Sequence, residues 1–127
     1  MFKDAQTFSS YSVDDLDAAQ AFYTDTLGLG VEKAPMGILE VSLHDGRHVT
    51  IYPKPNHEPA TFTVLNFIVP DIEQAVDDLV AKGVQMEQYG MPEMNQDARG
   101  IARDDRGPAI AWFKDPAGNI LAVLETN

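Results

Sequence analysis

The chain repeats itself. With an offset of 56 residues, Val13 falls on Val69, Asp15 on Asp71, Leu16 on Ile72 and Ala19 on Ala75. One residue then drops out of the second copy, so that Gly28 meets Gly83 and Val31-Glu32 roughly meets Met86-Glu87. Each copy is about half of the 127 residues, and the whole is the size of one domain. Whatever the first half folds into, the second must approximate.

Both copies carry the same local signals. Asp15 and Asp71 stand where a helix N-cap belongs, after an apolar strand and before a helical pattern. Ile72, Ala75, Val76, Leu79 and Val80 fall at i, i+3, i+4, i+7 and i+8, one face of a helix, and Gly83 follows as its stop. In the first copy Leu16, Ala19, Phe22, Tyr23 and Leu27 mark the buried stripe, and Gly28 ends it.

Strands are expected at 7–13 before the first helix and at 31–34, 38–44 and 48–52 after it. The second copy should place them at 62–69, 84–89, 109–114 and 120–125, with a turn at Asp115-Pro116-Ala117-Gly118. The predicted fold class is α+β. It consists of two tandem βαβββ modules, curved mixed sheets around a shared cavity and helices outside. Module 1 covers about 5–52 and module 2 about 61–126 of a single domain 1–127. Three prolines stiffen the linker 53–60.

Composition then excludes several classes of function. Without cysteine there are no disulfides, zinc ribbons, iron–sulfur clusters or thiol nucleophiles. Twenty Asp and Glu against nine Lys and Arg give a net charge of −11, which repels nucleic-acid phosphates and anionic membranes. No apolar run approaches the ~20 residues of a membrane span. Met1-Phe2-Lys3-Asp4-Ala5-Gln6 offers no signal-peptide core, so the expected location is cytoplasmic.

With these features the sequence resembles the glyoxalase, bleomycin-resistance and extradiol-dioxygenase superfamily, the vicinal oxygen chelate fold. The residues carrying the resemblance are Val13-Asp14-Asp15-Leu16, Phe22-Tyr23, Leu27-Gly28 and Val69-Pro70-Asp71-Ile72. The most specific segment is Ala111-Trp112-Phe113-Lys114-Asp115-Pro116-Ala117-Gly118-Asn119. Metal-dependent members hold one divalent ion with His, Glu or Gln from the first, fourth, fifth and last strands. By that resemblance the ligand positions here are Phe8, a residue among Thr50, Ile51 and Tyr52, then Val64 and Ala122. These are poor ligands for a transition metal. The expectation is a metal-free branch with no cofactor and no catalytic residue.

Other chemistry is weakly signalled. With a three-residue hairpin loop at 45–47, His44 would face His48, and Glu40, Ser42, Thr50 and Tyr52 would share their side. That cluster could take zinc or nickel, or be only a solvated hairpin tip. No G-x-S-x-G nucleophile turn and no phosphate-binding glycine loop occurs.

Matching the resemblance with strand alternation gives the side chains expected to line the cavity. They are Phe8, Ser10 and Ser12, then His48, Thr50 and Tyr52, from the first module. The second adds Val64, Asn66 and Ile68, with Ile120, Ala122 and Leu124. Trp112 should face the cavity and Phe113 the helix, because an indole N–H suits a polar ligand. The polar stretch 89–106 reads as a lid, with Met91 and Met94 as adaptable cover. Arg99, Arg103 and Arg106 could receive an anion, or simply pair with Asp97, Asp104 and Asp105.

Three functions remain open: a non-catalytic binder of a small organic molecule, a metal-dependent lyase, isomerase or dioxygenase with an unconventional site, and a partner-binding module. A homodimer is expected, since relatives commonly complete their sites with a partner's module.

Overall fold

The computed structural model describes residues 1–104 and 107–126. The chain divides into two compact units, Met1–Glu58 and Pro59–Asn127. In the first, β1 (Ser9–Val13) leads to α1 (Leu16–Ala21), then β2 (Gly30–Ala34), β3 (Ile38–Ser42) and β4 (His48–Pro53). The sheet runs β1-β4-β3-β2, with β1 parallel to β4 and the other pairs antiparallel. Val13, Leu39, Val41, Val49 and Ile51 are buried on one face, as their period of two requires.

The Asp15 carboxylate caps α1 by accepting from the Ala18 N–H at 3.0 Å. The helix then widens into a π turn over Phe22–Thr26, with the Leu27 N–H donating to the Phe22 carbonyl. This turn is where the first copy spends its one extra residue before the glycine. It also places Tyr23, fully buried, with its hydroxyl 2.7 Å from that of Tyr11.

The second unit comprises β5 (Thr63–Ile68), α2 (Ile72–Ala81), β6 (Ala109–Lys114) and β7 (Ile120–Glu125). Its sheet order is β5-β7-β6, parallel between β5 and β7 and antiparallel between β6 and β7. The Asp71 carboxylate caps α2 through the Gln74 N–H at 3.2 Å. At the other end Gly83, with φ at 90°, donates to the Val80 carbonyl, and Val84 donates to that of Leu79. These two bonds form a complete Schellman stop.

The Asp115-Pro116-Ala117-Gly118 turn between β6 and β7 is built around one carboxylate. Asp115 Oδ1 accepts from the N–H groups of Ala117 and Asn119, and Oδ2 accepts from the Asn119 side-chain amide. Asp115 and Asn119 are both buried there, fully engaged in hydrogen bonds.

One expected strand is missing. Residues 84–89 form no ladder, and among the described residues the one backbone hydrogen bond that ties them to β6 runs from the Glu87 N–H to the Trp112 carbonyl. The side chain of Gln96 takes the place of a strand partner, donating to the Glu87 carbonyl and accepting from the Tyr89 N–H, both at 2.9 Å. Among the described residues the second unit therefore has three strands where the repeat predicts four.

Candidate functional site

The stretch after Tyr89 is folded back on itself. Asn95 adopts a left-handed conformation after a short 3₁₀ turn at Pro92–Met94, and its side-chain amide donates to the Arg103 carbonyl. The Asp97 carboxylate accepts from the N–H groups of Arg99 and Ile101, and Ile101 is buried. Ala102 exchanges two backbone hydrogen bonds with Ile110 of β6.

Arg99 and Arg103 fasten this stretch to α2. Arg99 donates to the Glu73 carboxylate and backbone carbonyl and to the Asp77 carboxylate, while Arg103 reaches Asp97 and Glu73. The expected neighbour Asp97 is one partner, but the helix carboxylates Glu73 and Asp77, far away in sequence, are the others. Both guanidinium groups are thus engaged within the unit. Arg106 and Asp105 lie outside the described residues. Burial pushes the Asp97 carboxyl up, but the backbone N–H groups of Ile101 and Arg99 and the Arg103 guanidinium together hold it below the ordinary range.

Between this stretch and the sheet lies a pocket of about 270 Å³. Tyr89 and Trp112 form one corner, with ring centroids 5.5 Å apart and planes at 74°. Met91 and Met94 come from the folded stretch, Thr63 from the start of β5 and Phe62 from the residue before it. Phe62 and Met91 are exposed although apolar. The Tyr89 hydroxyl is raised above its ordinary range by burial and by the Glu87 charge, so it stays protonated and able to donate.

Register fixes which face of β6 this is. Trp112 lies opposite Ala122, which lies opposite Asn66, whereas Phe113 pairs with Leu121 and is fully buried. Trp112 and Phe113 therefore point to opposite faces, Trp112 into the pocket and Phe113 into the core. Val64 departs from the expected row. It is the extra residue of a bulge between Thr63 and Leu65, so strict alternation breaks there and Thr63 takes the place opposite Ile120.

A larger hollow of about 560 Å³ borders α2, residues 83–88 and the segment Ala98-Arg99. Its charged residues, Asp77 and Arg99, are already bonded to each other. The smaller aromatic pocket is the better-built candidate.

In the first unit the face opposite the core is polar. Ser10 pairs in register with Thr50, and Thr50 with Glu40. The Thr50 hydroxyl donates to Glu40 Oε1 at 3.0 Å, and His48 Nε2 lies 3.3 Å from Oε2. The rings of Phe8 and His48 stack with centroids 6.2 Å apart. Tyr52 is exposed, and Ser12 bonds His57 Nδ1 at 2.7 Å.

The expected meeting of His44 and His48 does not occur. The ladder ends at Ser42 opposite His48, and His44 begins a 3₁₀ turn in which Asp45 and Gly46 are both left-handed. His44 instead lies 3.3 Å from the Asp45 carboxylate in a solvent-exposed tip. Among the described residues no three His, Asp or Glu side chains gather where one ion could bind them. Phe8, Val64 and Ala122 have no lone pairs to offer, and Ala122 is buried. These positions do not fit a divalent ion.

Sequence reasoning missed Tyr89 and Phe62 as pocket walls. Tyr89 follows a segment whose pairing with β6 only the structure reveals.

The sequence profile of the Glyoxalase/Bleomycin resistance protein/Dioxygenase superfamily matches residues 7–123. The chain belongs to that superfamily. Solved structures of the glyoxalase type share its fold. A lactoylglutathione lyase from Agrobacterium tumefaciens is 22% identical, with 96% of this chain and 93% of that one covered and a TM-score of 0.68. The fosfomycin resistance protein FosX from Listeria monocytogenes is 13% identical, covering 98% and 94%, with a TM-score of 0.72. TnmS3, an antibiotic binding protein from Streptomyces sp. CB03234, is 18% identical, covering 98% of each chain, with a TM-score of 0.69. No curated protein matches the sequence. Among these relatives the glyoxalase-type fold serves both lyase and binding functions, so the choice for this chain rests on its own residues.

Proposed function

We propose that this glyoxalase-superfamily protein binds a small organic molecule without metal and without catalysis, as a cytoplasmic homodimer. The observation that carries the reading is the Trp112 pocket, where three aromatic rings and two thioethers line a concave space of about 270 Å³. Supporting it, the family's ligand positions Phe8, Val64 and Ala122 offer no donor atoms. The likeness in fold to an antibiotic binding protein agrees with it.

The experiment is a mass-spectrometric search for small molecules that co-purify with the chain, read alongside elemental analysis after dialysis. A bound organic compound that alters Trp112 emission is the expected result. About one zinc, nickel, iron or manganese per chain, or lactoylglutathione formation from methylglyoxal and glutathione, overturns the reading.

A second reading, a metal-dependent lyase, isomerase or dioxygenase, draws on Glu40 and His48, whose side chains meet on the polar face of the first unit. Two donors fall short of the three or four that hold a transition ion.

A further inference from the structure

The Trp112 pocket also carries information about charge, and the inference drawn from it rests on the binding function proposed above. Its walls present three rings, Phe62, Tyr89 and Trp112, and two thioethers, and among the described residues none of the lining side chains bears a formal charge. Ring faces are electron-rich and thioethers polarisable, so such walls attract a delocalised cation, whereas an anion meets hydroxyl and indole donors but no positive charge among the described lining residues.

The charges just outside agree. Glu93 sits in the 3₁₀ turn between Met91 and Met94. Glu87 is close enough to Tyr89 to disfavour a second negative charge there. Of these, Glu87 is offset by Lys114 at 3.7 Å, and the whole chain carries a net charge of −11. The near-perpendicular Tyr89 and Trp112 rings form a corner in which a flat molecule can lie on one ring and meet the other. A volume of about 270 Å³ admits one or two fused rings, less than the ~300–1,000 Å³ of drug-sized sites.

We propose that the pocket takes a flat aromatic cation of one or two rings, of the pyridinium or quinolinium type, in preference to a neutral or anionic ring of the same size.

Trp112 is the only tryptophan, so its indole N–H gives a single resonance in the ¹⁵N-labelled full chain. At pH 8 and low salt, that resonance is followed during titration with N-methylquinolinium, 4-methylquinoline and quinoline-4-carboxylate. The cation should bind about threefold or more tighter than the neutral probe, with the carboxylate weakest. Glu93→Gln should weaken the cation about twofold and leave the neutral probe unchanged. A neutral or anionic probe that binds as tightly as the cation overturns the charge preference and leaves binding of organic molecules standing. Equal weakening of all three probes by Glu93→Gln also overturns it. A resonance unmoved by every probe overturns both this inference and the function on which it rests.

Discussion

Neighbouring residues 112 and 113 should respond to mutation in opposite ways. Phe113 is fully buried and stands opposite Leu121 in the ladder. Phe113→Ala removes a whole ring from a packed interior, at a cost of about 3–5 kcal/mol. That is a large share of the ~5–15 kcal/mol that holds a domain of this kind together. With a urea m-value of about 2 kcal/mol/M, the midpoint should fall by roughly 2 M. Trp112→Phe keeps an aromatic ring and forfeits part of the edge contact with Tyr89, about 1 kcal/mol. Its midpoint should move by roughly 0.5 M at the same m-value. Urea denaturation followed by far-UV circular dichroism measures both, and ligand titration by calorimetry shows which variant loses binding. A stable Phe113→Ala that fails to bind, beside a Trp112→Phe that binds normally, would mean that the two faces are assigned the wrong way round.

Other tests reach different parts of the molecule. Gly100 has φ at 86°, and a Cβ there would lie 3.1 Å from the Glu87 carbonyl oxygen; Gly100→Ala should cost about 1–3 kcal/mol, read by thermal melting, and a neutral result would remove the strain argument. Asp97 is held below its ordinary pKa, so it contributes stability above the normal aspartate range and loses it as pH falls through its lowered value. Asp97→Asn should therefore be less stable than the parent at pH 7, with the gap closing on acidification; a gap that persists at the acid end would contradict this. Light scattering should give a dimer at micromolar concentration, and a mass near 14 kDa would refute that expectation.

Much of the fold is legible in the sequence because its signals are local. Asp15 and Asp71 cap their helices within three residues, Gly83 ends α2 by its own backbone, and Asp115 and Asn119 complete their turn within five. The parity of Trp112 and Phe113 is equally local. What sequence reasoning missed depends on distant partners. Arg99 finds Glu73 and Asp77 across more than twenty residues. Gln96 displaces a strand that periodicity alone would draw. The bulge at Val64 and the hairpin register before His48 are each set by pairing, which no residue announces by itself.

The substitution of a glutamine side chain for a strand has a consequence for how the protein meets its neighbours in a crowded solution. An open sheet edge is a template for chains that stack without limit. On β6, Ile110 gives both its backbone groups to Ala102, and the Trp112 carbonyl is taken by Glu87, whose own carbonyl is closed off by Gln96. A foreign strand arriving there finds these groups already satisfied. The folded stretch that walls the pocket thus also blunts the sheet margin, and loosening it for tighter ligand capture would carry a penalty in fibril formation.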